Sequence, residues 1–183
     1  TENNLLINLG AVVTATDSDG DTVAGNASAL VITVNDDMPA ALSPEVALGG
    51  TVDEDGVTGG LTLAAPGDVA GANTVVSDSV AGLFAAGADA PLTYGLAANT
   101  VATLTALGLT SGSTALTYVV SGDTVTASAG TTSIFTFQVT SGGTYTFTLL
   151  GHLDHPSLNG VSGDNTENNL LINLGAVVTA TDS

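Results

Sequence analysis

Carboxylates are the side chains of this sequence that recur at spacings suited to binding chemistry. Three short clusters stand out: Asp17, Asp19 and Asp21; Asn35, Asp36 and Asp37; and Asp53, Glu54 and Asp55. Each offers several oxygens within a few residues. That suits a hard divalent cation such as calcium, which takes six to eight oxygens from carboxylates, amide and backbone carbonyls and water. Zinc is poorly served, because the chain has no Cys and only two His. The run Asp17-Ser18-Asp19-Gly20-Asp21 is not an EF-hand. Counted from Asp17, position six is Thr22 and position twelve is Ser28, where that loop needs Gly and Glu. A plain Asp-Gly turn is the competing reading of this run.

A fourth group lies at His152, Asp154 and His155. Imidazole and carboxylate together are ligands for a transition metal, but the simpler expectation is that Asp154 joins a calcium cluster and the histidines are loop residues. A Ser157–His155–Asp154 triad is conceivable on paper. Sequence neighbours seldom reach triad geometry, and no oxyanion-hole motif accompanies them. The expectation is that the chain is not an enzyme.

Charge sharpens the case for cations. The 183 residues contain 18 acids and no Lys or Arg, a formal net charge of −18. A chain without cationic side chains cannot neutralise phosphates, which excludes nucleic acid as a partner. Insertion into a membrane is not expected either, for the apolar runs fall far short of a span. Carboxylates with no Lys or Arg partners repel one another in the compact state unless they stand apart or bind cations. They are also unevenly placed: between residues 60 and 150 only Asp68, Asp78, Asp89 and Asp123 occur.

The elements that must carry these acids read as strands and turns. Phe135, Phe137 and Val139 alternate with Thr136 and Gln138, and after the turn Ser141-Gly142-Gly143, Tyr145, Phe147 and Leu149 alternate with threonines. A period of two sets the aromatic side chains on one face and the hydroxyls on the other. This hairpin holds four of the seven aromatics and should centre the core. Outward rows such as Thr144, Thr146 and Thr148 need no function, because Thr is a good strand former. A second hairpin joins Leu116–Val120 to Thr124–Ser128 through Ser121-Gly122-Asp123. Two longer strands, Leu5–Thr16 and Thr22–Val34, flank the acidic turn, and Ala40–Pro44 reads as a linker. Helical periodicity is weak, with at most a short helical turn within Val80–Ala90. The fold expected is all-β: a Greek-key-like antiparallel β-sandwich of cadherin or immunoglobulin type.

One further pattern governs the organisation. The segment TENNLLINLGAVVTATDS at Thr1–Ser18 recurs letter for letter at Thr166–Ser183, a displacement of 165 positions. A period that long makes each repeat a whole domain rather than one coil of a solenoid. Residues 1–37 then read as the closing hairpin and linker of one unit, and 38–183 as the next unit without its last strand. The counterpart of Thr22–Val34 would follow Ser183. Thr22–Val34 itself is therefore expected to fill the place beside Leu170–Thr181, within one chain or between copies, because an unpaired edge strand recruits partners.

Taken together, Val52-Asp-Glu-Asp-Gly56, Gly143-Thr-Tyr-Thr-Phe-Thr-Leu-Leu-Gly-His-Leu-Asp-His-Pro156 and Ala15-Thr-Asp-Ser-Asp-Gly-Asp-Thr-Val23 running on to Val34-Asn-Asp-Asp-Met-Pro39 resemble the long tandem repeats of giant RTX adhesins. Val34–Pro39 is also similar to the calcium-binding linker of cadherin-like domains. The resemblance implies an extracellular, type I secreted bacterial surface protein. In it, calcium-stiffened extender domains stand head to tail and hold an adhesive region, with its glycan or protein target, away from the cell in settings such as biofilm. It also implies that Asp36, Asp37, Asp53, Glu54 and Asp55 ligate calcium between beads. The glycine-rich nonapeptide of the RTX β-roll is absent. Two other functions compete: a fibre subunit assembling by strand exchange, and a ligand- or glycan-binding module, the latter weakened by seven aromatics and no Trp.

Overall fold

The computed structural model describes residues 4–43, 48–59, 69–88, 90–155 and 169–182. Its centre is the aromatic hairpin. Thr132–Val139 pairs antiparallel with Thr144–Leu149, setting Phe135 opposite Leu149, Phe137 opposite Phe147 and Val139 opposite Tyr145. The inward members are buried, and the rings of Phe135 and Phe147 stack at 5.1 Å. Burying each phenylalanine contributes about 1.5–3 kcal/mol. The hairpin closes through Gly143, whose φ of 86° belongs to the left-handed region that glycine adopts without strain.

Thr124–Ala129 pairs with the free edge of Thr132–Val139, and Thr117–Ser121 with Thr124–Ala129, so the second expected hairpin is present. The earlier strand Val75–Ser79 returns to the far edge, beside Thr144–Leu149. That gives five antiparallel strands with a long return of Greek-key kind. Val178–Thr181 and Thr93–Leu96 form a smaller antiparallel pair against the same core. The whole is an all-β, sandwich-like fold.

A helix, Thr100–Ala106, packs against Thr117–Ser121 and the 3-10 turn Gly175–Val177. The weak helical periodicity gave no warning of it. It is short and exposes most of its surface; only Thr100 and Leu104, one turn apart, are buried. Thr100 Oγ1 donates to the carbonyl of Ala97 at 2.6 Å, and Gly108 at φ 65° ends the helix. Among the described residues of Val80–Ala90 the only helical turn is the 3-10 turn Ala81–Leu83, as its sequence suggested. The supposed linker is partly structured: Ala40–Ala41 pairs with Phe84–Ala85, and Leu42 N–H bonds to Leu83 O at 2.7 Å. Pro44 lies outside the described residues. Among the described residues no helix is long and apolar enough to cross a membrane.

Residues 4–34 form a separate arm. Leu5–Asn8 pairs with Val31–Val34 and Thr14–Thr16 with Thr22–Ala24, joined by the 3-10 turn Gly10–Val12. None of its apolar residues belongs to the core, which runs from Val57 to Val178. The expected partnership of Thr22–Val34 with Leu170–Thr181 is not formed within this chain. The short acidic turn closes Thr22–Ala24 onto Thr14–Thr16 instead, while Val178–Thr181 takes Thr93–Leu96.

Candidate metal centre

The acidic turn is built by the hairpin it closes. Asp17 N–H donates to Asp21 O at 3.0 Å, the last rung of the ladder between Thr14–Thr16 and Thr22–Ala24. Asp17 Oδ1 accepts the N–H groups of Gly20 at 3.1 Å and Asp21 at 2.9 Å, and Gly20 turns the chain at φ 103°. The sequence therefore delivers the Asp-Gly turn and the acid cluster together: they are one object. Asp17, Asp19 and Asp21 are exposed and each places a carboxylate oxygen within 4.8 Å of the others, a group that could hold a metal ion.

Its electrostatics are those of crowded acids. The Asp17 carboxyl is held below the ordinary carboxylate range, first by a hydrogen bond with the Asp19 carboxyl and then by the Asp21 N–H. Ionised carboxylates are acceptors alone, so a bound cation is a natural partner for this crowded group. Such a site is open, and backbone carbonyls and water would complete its coordination.

The remaining acids proposed from sequence are not drawn into one centre. Asn35 and Asp37 are exposed and Asp36 is half-buried where the arm ends. The Asp37 carboxylate lies over Gly87, 3.0 Å from where a Cβ on that residue would stand. Asp53 folds onto its own turn, accepting the Asp55 N–H at 3.0 Å, and Asp55 accepts the Val69 N–H at 2.6 Å. Each of these carboxylates accepts a backbone N–H, the one on Asp55 from 14 residues away. Asp154 accepts three donors. Its oxygens accept Gly112 N–H at 2.8 Å, Ser113 N–H at 2.7 Å and the Thr110 hydroxyl at 2.7 Å.

Glu54 leaves its neighbours altogether. It accepts the Leu153 N–H at 2.6 Å, and His152 Nδ1 and His155 Nε2 lie 3.4 and 3.3 Å from its two oxygens. The sequence reading grouped Glu54 with Asp53 and Asp55 and left the histidines as loop residues. The available signal was compositional: with no Lys or Arg, His152 and His155 are the only side chains able to carry positive charge. Ser157, the third member of the conceivable triad, lies outside the described residues.

Fold and site together define an all-β, sandwich-like domain carrying an exposed acidic turn on a hairpin arm. No protein-family model, curated protein or solved structure matches the chain.

Proposed function

We propose that this chain is a structural extender repeat of an extracellular, secreted bacterial surface adhesin. It is non-catalytic, stands head to tail with identical units, and is stiffened by calcium. The observation that carries the reading is the identity of Thr1–Ser18 with Thr166–Ser183. Arrays of copied domains supply length and multivalency, and the turn lies on the hairpin read as closing one unit. An acidic chain with no Lys or Arg has dications as its natural means of quenching repulsion at that junction. The adhesive target would lie elsewhere in the full protein.

The test is thermal unfolding with calcium and with chelator, on the parent chain and on a variant carrying Asp17→Asn, Asp19→Asn and Asp21→Asn. Extracellular modules bind calcium with dissociation constants of about 10⁻⁴–10⁻³ M. At ~10 mM calcium a site of 10⁻⁴ M adds about 2.7 kcal/mol, and a site of 10⁻³ M about half that. Calcium should raise the melting temperature of the parent chain and leave the variant's unchanged. A parent chain that melts alike in calcium and chelator would overturn the calcium part of the reading.

A further inference from the structure

The two copies of the repeated segment adopt the same local shape in opposite surroundings. In both, a 3-10 turn follows a leucine of nearly identical backbone: Leu9 at φ −112°, ψ −2° and Leu174 at φ −103°, ψ −1°. Their burial differs completely. Val12 is 75% and Val13 52% exposed, whereas the equivalent Val177 is 0% and Val178 8% exposed. Leu170, Ile172 and Leu174 pack against the core, while the equivalent Leu5 and Ile7 are exposed. An apolar ridge so placed marks an interaction surface.

Hydrogen-bond parity shows that the two settings are compatible. In the first copy Val13 O accepts the Gly25 N–H and Asp17 N–H reaches Asp21 O, so residues 13, 15 and 17 face Thr22–Ala24. In the second copy Val177 O accepts the Ala97 N–H, so residues 177, 179 and 181 face Thr93–Leu96. These correspond to residues 12, 14 and 16. Alternate residues of an antiparallel strand point their N–H and C=O to opposite edges. The strand therefore uses one edge in one copy and the other edge in the other. It can hold both partners at once, between Thr93–Leu96 and Thr22–Ala24.

Glycine packing says the same. Gly10 is closed over by the backbone of Asn26 and Ala27, which leaves no room for a Cβ, whereas around the equivalent Gly175 only Asn173 Oδ1 comes close, at 3.4 Å. Among the described residues, Leu170–Asn173 has no strand partner where Leu5–Asn8 has Val31–Val34.

We infer that the arm of residues 4–34 docks on a second copy of this chain by taking the place of Val178–Thr181 beside Thr93–Leu96, carrying its own paired strands with it. Thr14 then stands opposite Gly95 and Thr16 opposite Thr93, with Val12 O on the Ala97 N–H and Val12 in the position of Val177. The slot receives the side chains it already holds, so nothing is lost there. Leu5, Ile7 and Leu9 take the places of Leu170, Ile172 and Leu174, and Val31–Val34 with Asn26 covers them. The exchange costs the freedom of one chain, so it is favoured by concentration. It deepens the head-to-tail reading and rests on it only for the adjacency of copies; calcium plays no part.

Disulfide trapping tests it, since the chain has no Cys of its own. A Thr16→Cys chain and a Thr93→Cys chain are mixed at several hundred micromolar, oxidised, and compared with Thr16→Cys mixed with Thr117→Cys, an exposed position on the sheet edge. The expected result is at least tenfold more mixed dimer from the first pair. Adding Val12→Asp to the Thr16→Cys chain should abolish the dimer while leaving the monomer's melting temperature unchanged, because Val12 is exposed until it docks. Equal yields from both pairs, or a dimer that survives Val12→Asp, would overturn the inference. Both mixtures are run in calcium and in chelator. A calcium-insensitive melting curve with a positive cross-link sinks the calcium reading alone, and the converse sinks this one alone.

Discussion

The carboxylate of Asp154 accepts the backbone N–H of Ser113 at 2.7 Å, across 41 residues of chain. Ser113 and Gly112 both adopt positive φ, 61° and 54°, in the two-residue turn between Thr110–Ser111 and Thr114–Ala115. Successive residues of this kind turn their N–H groups toward one point and make a small anion-binding concavity. Asp154 fills it and fastens the turn to the end of the aromatic hairpin.

The acid limb of stability follows from that clasp. The Asp154 carboxyl is held below its ordinary value of 3.8, first by the Thr110 hydroxyl and then by the Ser113 N–H. A group depressed on folding contributes stability that is present above the unfolded value and is lost as pH falls through the folded one. Asp17 and Asp123 share this sense, Asp123 chiefly through the Gln138 amide. Asp154→Asn should lower the melting temperature at pH 7 and flatten its fall below pH 3.8, because that share has already been lost. Melting curves from pH 7 to 2 check it. Coincident curves for variant and parent would show that the clasp is idle.

The alkaline limb is set by two tyrosines. Tyr118 and Tyr145 are 8% and 7% exposed, and neither hydroxyl has a hydrogen-bond partner among the described residues. Burial raises both above the ordinary 10.0, and the charge of Asp78 raises Tyr145 further. A group raised on folding contributes stability present below its unfolded value and lost as pH rises through the folded one. An unsatisfied buried hydroxyl costs about 1–3 kcal/mol. Tyr118→Phe and Tyr145→Phe should therefore hold or gain up to about 1 kcal/mol at pH 7. They should also melt less steeply above pH 10. Denaturant unfolding at pH 7 and pH 11 is the measurement, and a loss of stability at pH 7 would mean that a partner exists.

Glycines at two hairpin turns separate backbone strain from crowding. Gly130 has φ 60° and open space where a Cβ would stand, whereas at Gly143, φ 86°, a Cβ would meet the Tyr94 ring at 2.9 Å. Gly130→Ala should cost about 1 kcal/mol, the left-handed penalty alone. Gly143→Ala should cost about 2–3 kcal/mol, since Tyr94 must also move away. Chemical denaturation of the two variants side by side is decisive. Equal costs would mean that the Tyr94 ring yields freely.

What the sequence made legible was whatever is local. The alternation of Phe135, Phe137 and Val139 sets their faces, and Asp17-Ser18-Asp19-Gly20-Asp21 specifies its turn, because both depend on near neighbours. The helix at Thr100–Ala106 was hidden since only Thr100 and Leu104 give it an inward face. The partners of Glu54 were hidden because Leu153 and His155 lie about a hundred residues away and no short motif joins them. Asp53, Asp55 and Asp154 accept backbone N–H groups, and such pairing has no signature in composition.

Val12 and Val177 turn this contrast into a stability experiment. They are the same residue of the repeat, in the same 3-10 turn, yet one is exposed and the other seals the core beside Leu104. Local propensity is therefore equal, and any difference between equivalent substitutions measures surroundings alone. Val177→Ala should cost about 1–3 kcal/mol, the transfer of two methyl groups plus the void they leave. Val12→Ala should stay within about 0.5 kcal/mol in dilute solution. At concentrations where the arm docks on a second copy, Val12→Ala should instead approach the cost of Val177→Ala. Unfolding followed from micromolar to near-millimolar protein reads both regimes. A Val12→Ala cost that stays small at the highest concentration would confine the core to the residues that hold it in the single chain.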